Sequence, residues 1–270
     1  VCSNLASDSK KEEFVTKLKQ DQIKLKERHA ASSGKAKYLP ITIARSKRVA
    51  TDWDKVEIAT PEFTGVKEFQ DLDLAEIASY FDWSPFFWTW ELKGLFPGIL
   101  QHPKWGEQAR ELYEDAQKML ERIIAEKIFR PKAAMGIWPA HSVDDDIEVF
   151  SDTGKTQQLA KLHFLRQQKQ KTQSDIYSCL ADYTAPKSSG RLDHIGAFVV
   201  TAGKEVEEFA ATFENDGDDY NGIMVKALGD RCAEAMAEMM HKRLRDVFGY
   251  GKTENLSMDD LIRERYRGIR

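Results

Sequence analysis

The chain has 270 residues, 41% of them hydrophobic and 31% charged, with 40 basic against 44 acidic residues for a formal net charge of −4. That balance supplies core for one large or two small globular domains and gives no global electrostatic case for nucleic acid or an anionic membrane surface. Three widely spaced cysteines, Cys2, Cys179 and Cys232, argue against a disulfide framework and for a reducing, cytoplasmic setting, and no apolar run approaches the roughly 18 residues of a membrane span.

The chain begins at Val1 with no basic, apolar, small-residue signal, and is read as a piece cut from something longer. Residues 8–31 read as a charged helix whose thin apolar stripe is Phe14, Leu18 and Leu25, suited to a connecting helix on a surface. Ser33 and Gly34 stop it. From Tyr38 to Gly65, with Pro40 and Pro61, no period emerges, and an extended linker is expected. The compact part is expected to start near Val66. "LDLAEIASYF" is a short amphipathic helix with Asp71 or Asp73 at its N-cap. In residues 104–127, Ala109, Leu112, Ala116, Met119, Leu120 and Ile123 recur at helical spacing.

Strand-like runs follow at 133–140, 146–150 and 194–202, then helices at 205–214, at about Asn221 to Phe248, and at 257–267, where Ser257 and Asp260 suggest a near-capping box. Long helices set apart from short strands, without βαβ alternation, predict an α+β fold with a mainly antiparallel sheet.

Common catalytic signatures are missing. The six histidines form no H-x-x-x-H, the cysteines no C-x-x-C, and a self-contained metal site is not expected. There is no P-loop, G-x-G-x-x-G or G-x-S-x-G. The basic run "RQQKQK" at 166–171 reads as a solvated helix face, or else as a docking patch for an acidic partner.

Two stretches could carry chemistry. In the long helix, Val225, Leu228, Cys232, Met236, Met239 and Val247 fall on one face, and Asp230, Glu234, Glu238 and His241 on the other. The second face is either a solvated acidic back or a place where Asp230 and Glu234, one turn apart, meet a cation or a histidine. Cys232 reads as a packed thiol rather than a nucleophile.

The other stretch is "YFDWSPFFWTW", seven aromatics in eleven residues with one carboxylate, Asp82. Pro85 forces a turn, and the rings beyond it restart a helix or cap a sheet edge. The rings pack a core or its rim. Alternatively, Asp82 at the mouth of such a cluster suits an ammonium or sulfonium group, with cation–π attraction adding to its charge.

The blocks "FDWSPFFWTWELKGLFP", "GIWPA", "DDIEVF", "LRQQ", "CLADYTAPKSSGRLDHIGAFVVTAG", "DDYNGIMVKALGDRCAEAMAE" and "ENLSMDDLIRERYRGIR" together resemble the activation domain of cobalamin-dependent methionine synthase, nearly end to end from about residue 66. The opening "VCSNLASD" is similar to the close of that enzyme's cobalamin-binding domain. The resemblance implies that residues 1–65 are the end of that domain plus an interdomain linker, and that 66–270 are the activation domain, C-shaped around a central antiparallel sheet.

It further implies S-adenosylmethionine binding over cobalamin carried by the neighbouring domain. Inactive cob(II)alamin is then remethylated with an electron from flavodoxin or a flavoprotein reductase. By that resemblance Asp82 and Arg270 hold the methionine end of the ligand, a carboxylate for its ammonium and a guanidinium for its carboxylate. Asp230 and Arg231 face the cobalamin domain and meet the histidine released from cobalt, with Glu234 and Glu264 near that surface.

The family continues past "RGIR" into a Pro-Ala-Pro-Gly-Tyr-Pro segment and a long further part that also touch the ligand. This sequence stops at Arg270, so its pocket is expected to be incomplete. The parent is a methyltransferase joining 5-methyltetrahydrofolate and homocysteine, and the fragment alone is not expected to turn over. The rival reading is a non-catalytic α+β interaction module, which S-adenosylmethionine binding would separate from the first.

Overall fold

The computed structural model describes residues 8–32, 37–171, 174–254, 256–257, 260, 263 and 265–266. They fall into two compact units, one within Val1–Ala50 and Leu165–Cys179, the other within Thr51–Phe164 and Leu180–Arg270.

In the first unit, helix α1 (Asp8–Ser32) is charged along its length, and Leu18 and Leu25 stay exposed. The stretch after Tyr38 is not simply extended. Pro40 caps a short helix α2 (Ile41–Ser46) that buries Ala44 completely. Lys47, just past that helix, pairs with Asp175 at 2.6 Å. The run at 166–171 departs from the helix face predicted for it. It has no helical turn, Tyr38 and Lys169 form an antiparallel bridge, and Arg166 is buried, its Nη1 donating to the Tyr177 carbonyl at 2.7 Å. A guanidinium can satisfy a buried carbonyl while its stem packs, so the arginine here is structural.

The second unit is built on an antiparallel sheet around one long strand, β2 (Lys132–Val143). Along one edge β2 pairs with β5 (Asp193–Thr201), from Lys132↔Thr201 to Ala140↔Asp193. Along its other edge it pairs first with β1 (Gly65–Phe69) and then with β3 (Asp146–Phe150), which pairs onward with β4 (Gln158–His163). The β2–β3 connection is a tight turn in which Asp144 takes a left-handed φ of 54°, a conformation aspartate tolerates better than most residues.

Two helices of this unit open on aspartate caps. Asp73 Oδ1 accepts the Ala75 N–H at 3.0 Å to open α3 (Leu74–Ala78). After α4 (Ser84–Thr89) comes α5 (Gly106–Ala125), which buries Ala109, Leu112, Ala116, Leu120 and Ile123 of the stripe its periodicity predicts and leaves Met119 half-buried. Helix α6 (Glu205–Asn215) leads to α7 (Asp219–Phe248), where Asp218 Oδ1 accepts the Asn221 N–H at 3.0 Å. Helix α7 ends at Gly249, whose φ of 111° requires glycine or strain. A single-turn helix α8 (Gly251–Glu254) follows. Ser257 and Asp260 bond reciprocally, each side chain accepting the other's N–H at 3.2 and 3.1 Å, the near-capping box expected there, but the helix expected over 257–267 is not seen at 263, 265 and 266, which are not helical.

The core joins Ile77, Phe86, Phe87, Ile123, Ile137, Leu228, Met236 and Met239, all at most 1% exposed. Fully burying each of these side chains is worth roughly 1.5–3 kcal/mol, so the helices are held mainly by packing on one another and on the sheet.

Candidate functional site

Asp82 sits just before α4 and is exposed. Its Oδ1 accepts the Ser84 N–H at 2.9 Å, closing one of the unpaired donors that every helix start leaves. Pro85 lies in the first turn, where its fixed φ and missing N–H cost nothing. The buried Ser84 is locked in turn: its Oγ accepts the Phe96 N–H at 3.1 Å. These bonds fix the carboxylate from behind, and Oδ2 takes no hydrogen bond from the described residues.

The aromatic stretch packs behind this carboxylate, most of its rings turned into the core. Phe86 and Phe87 are wholly buried, and Trp83 packs edge-on against Phe86 at 5.4 Å and Tyr113 at 5.0 Å. For these three, core packing, the first of the two readings that the sequence left open, is what the structure shows. A helix starting at Ser84 turns consecutive phenylalanines into the core, where their area is removed from water. Trp88 alone of the later rings is largely exposed, its indole N–H donating to the Gly94 carbonyl at 3.0 Å. Trp90 lies 5.0 Å from Tyr220. Burial and a hydrogen bond to Asp115, at 3.1 Å, push the Tyr220 hydroxyl up to about 12, so it stays a donor.

The second set lies on α7. Asp230 and Glu234 are exposed, as predicted, and Arg231 Nη1 donates to Glu234 one turn on. Arg231 itself, however, is not on a free outer face, since its side chain is only 11% exposed. His241, placed on the solvated back by helical spacing, is 4% exposed, and Glu238 is half-buried. The reason is that α6, β5, α3, α4 and α5 all pack on this helix, so no single face runs free for its thirty residues.

Cys232 is packed as expected, and burial pushes its thiol up to about 12. Arg270 and Glu264 lie outside the described residues. Asp230, Arg231 and Glu234 therefore share two turns of α7, while Asp82 sits on a separate segment whose helix packs against α7.

A cavity of about 490 Å³ opens elsewhere in the same unit, between the end of α7 and β5, with His194, His241 and Phe248 among its walls. Of the residues that the sequence places on the acidic face of α7, His241 lines it, whereas Asp82, Asp230, Arg231 and Glu234 do not. Spacing within one element could not have revealed it, because its walls come from segments distant in the chain. Among the described residues no cluster of three or more His, Cys, Asp or Glu is placed to hold a metal ion, and no helix is long and apolar enough to cross a membrane.

The chemistry at Asp82 fits one end of an amino-acid ligand: an exposed carboxylate, oriented by protein on one oxygen and open on the other. Residues 73–270 match the family described as vitamin B12 dependent methionine synthase, activation domain. Among solved structures the fold matches the crystal structure of the MetH reactivation domain bound to AdoHcy. The TM-score is 0.81 with 45% sequence identity, over 86% of this chain and 71% of that one. The chain therefore belongs to the activation-domain family of vitamin B12 dependent methionine synthase.

Proposed function

We propose that the chain binds S-adenosylmethionine through its methionine end and supports reductive remethylation of inactive cob(II)alamin. The electron comes from flavodoxin or a flavoprotein reductase. The observation that carries this reading is the solved relative with AdoHcy, the demethylated form of S-adenosylmethionine, at 45% identity. Asp82 is the residue assigned to the ligand's ammonium. Its Oδ1 is held by Ser84, so the carboxylate is ordered before the ligand arrives and loses little freedom on binding.

Arg270 is assigned to the ligand's carboxylate, and Glu234 and Glu264 to the cofactor-binding surface near Asp230 and Arg231. Residues 1–65 are assigned to the end of the cobalamin-binding domain and its linker, and 66–270 to the activation domain, with Asp230 and Arg231 meeting the histidine released from cobalt. Cobalamin, 5-methyltetrahydrofolate and homocysteine bind other domains of a cytoplasmic parent, so the fragment does not turn over alone.

Titration calorimetry with S-adenosylmethionine tests the reading. A charge-assisted hydrogen bond is worth about 1.5–3 kcal/mol, so Asp82→Asn weakens binding roughly 10- to 100-fold. Equal affinity in wild type and Asp82→Asn would remove Asp82 from the site. No binding by wild type would favour a docking module without the ligand.

A further inference from the structure

Helix α4 buries Phe86 and Phe87 completely but leaves Trp88 53% exposed. An indole is among the largest apolar surfaces a chain can bury, so holding one in water forgoes a stabilisation that its neighbours take. The ring is nevertheless fixed. Its Nε1 donates to the Gly94 carbonyl at 3.0 Å, and two residues further on the Phe96 N–H bonds Ser84 Oγ at 3.1 Å. Segment 94–96 therefore lies along the first turn of α4. The indole is at one end of it, and at the other is Ser84, whose N–H holds Asp82.

Position and orientation both bring the ring toward that carboxylate. Ser84 and Trp88 are one helical turn apart on a shared face, separated by about 6 Å along the axis. A helical side chain leans toward the N-terminus, which carries the indole back over the turn that Asp82 opens. The bond to Gly94 occupies only the edge of the ring, because the indole N–H lies in the ring plane. Among the described residues no cation and no other aromatic ring pairs with Trp88.

An exposed carboxylate about one turn from a held, open aromatic face suits a ligand with two cationic centres. With the α-ammonium of S-adenosylmethionine at Asp82, three carbons separate that nitrogen from the sulfur, a span comparable to the turn between Ser84 and Trp88. The sulfur is a sulfonium in S-adenosylmethionine and a neutral thioether in AdoHcy. The quadrupole of an aromatic face attracts the cation beyond the weaker sulfur–ring contact that either form can make.

We propose that Trp88 is a specificity-determining residue of the Asp82 site, its indole face receiving the sulfonium and so adding affinity for S-adenosylmethionine over AdoHcy. This rests on the reading of Asp82 given above, yet the two residues are separable. Asp82 meets the ammonium that both ligands carry, whereas Trp88 meets the charge that only one of them has.

The test is titration calorimetry of the whole chain with each ligand, read as the ratio of the two affinities. Trp88→Leu, which keeps apolar bulk without the ring, lowers the preference for S-adenosylmethionine about fivefold. Trp88→Phe keeps most of it. Asp82→Asn weakens both ligands alike and leaves the ratio where it was. In wild type, with no variant needed, the Trp88 indole ¹H–¹⁵N resonance shifts saturably with S-adenosylmethionine. An unchanged ratio in Trp88→Leu, including an equal loss of both ligands, would make Trp88 a structural clamp and overturn the proposal. So would an indole resonance that stays fixed through saturation. Either result leaves Asp82 in place if Asp82→Asn still weakens both ligands, whereas no binding by wild type would overturn both readings.

Discussion

The two oxygens of Asp82 have different work, and substitutions can separate them. Oδ1 holds the Ser84 N–H at the start of α4. Asp82→Ala removes that acceptor, and stability falls by about 1 kcal/mol, as for other helix-start caps. Asp82→Asn keeps a carbonyl oxygen for Ser84, so chemical denaturation shows a change within about 0.5 kcal/mol. A large loss of stability in Asp82→Asn would mean that the charge itself holds the fold. Cys232 gives a second residue-scale prediction. With its thiol pushed up to about 12 by burial, almost no thiolate exists near neutrality. Alkylation by iodoacetamide at Cys232 is therefore slow in the native protein and becomes fast in urea; rapid native labelling, read by peptide mass, would contradict the packing described.

Among the elements, α7 does the most to position both the predicted site and the cavity. Its approach to α6 depends on Gly229, where an added Cβ would lie 2.5 Å from Val206 Cγ1. Gly229→Leu overpacks this crossing and costs about 1–3 kcal/mol, visible as a lower urea midpoint. An unchanged midpoint would show that the helices can separate without loss. The apolar stripes of α5 and α7 were legible because burial there follows the helical period. The outer face of α7 was misread at Arg231 and His241, because spacing reports one helix and not the neighbours that pack on its other sides. Strand β4 gave no signal for a related reason: all six of its residues are exposed, so no inward face imposes a period of two. The run at 166–171 showed charge but not the burial of Arg166, which depends on a carbonyl eleven residues away.

For the whole molecule, the buried imidazole of His194 links stability to pH. Its folded-state pKa lies below the ordinary value near 6.5, chiefly through burial. Above that value both states are neutral at this site. As pH falls below about 6.5 the unfolded chain takes up a proton that the folded chain refuses, and stability declines down to the folded pKa. His194→Leu should flatten this part of the melting-temperature profile, while an unaltered slope would assign it elsewhere.

In the full-length parent, Asp230→Asn should shift the balance of histidine-on and histidine-off cobalamin, read from its absorption spectrum, because Asp230 is exposed and changing it leaves the core intact. The fold class was legible from helices and strands that do not alternate. Of the site, the carboxylate at Asp82 was legible as an oddity among rings, whereas the ligand proposed for it came only from likeness to a family.

The most direct measurement is a two-dimensional ¹H–¹⁵N titration of the chain with AdoHcy. Binding at Asp82 predicts saturable shifts at the Ser84 and Phe96 amides, the two donors tied to that turn, and their loss in Asp82→Asn. Amides at α4 that stay fixed while others shift, or shifts indifferent to Asp82→Asn, would contradict the account.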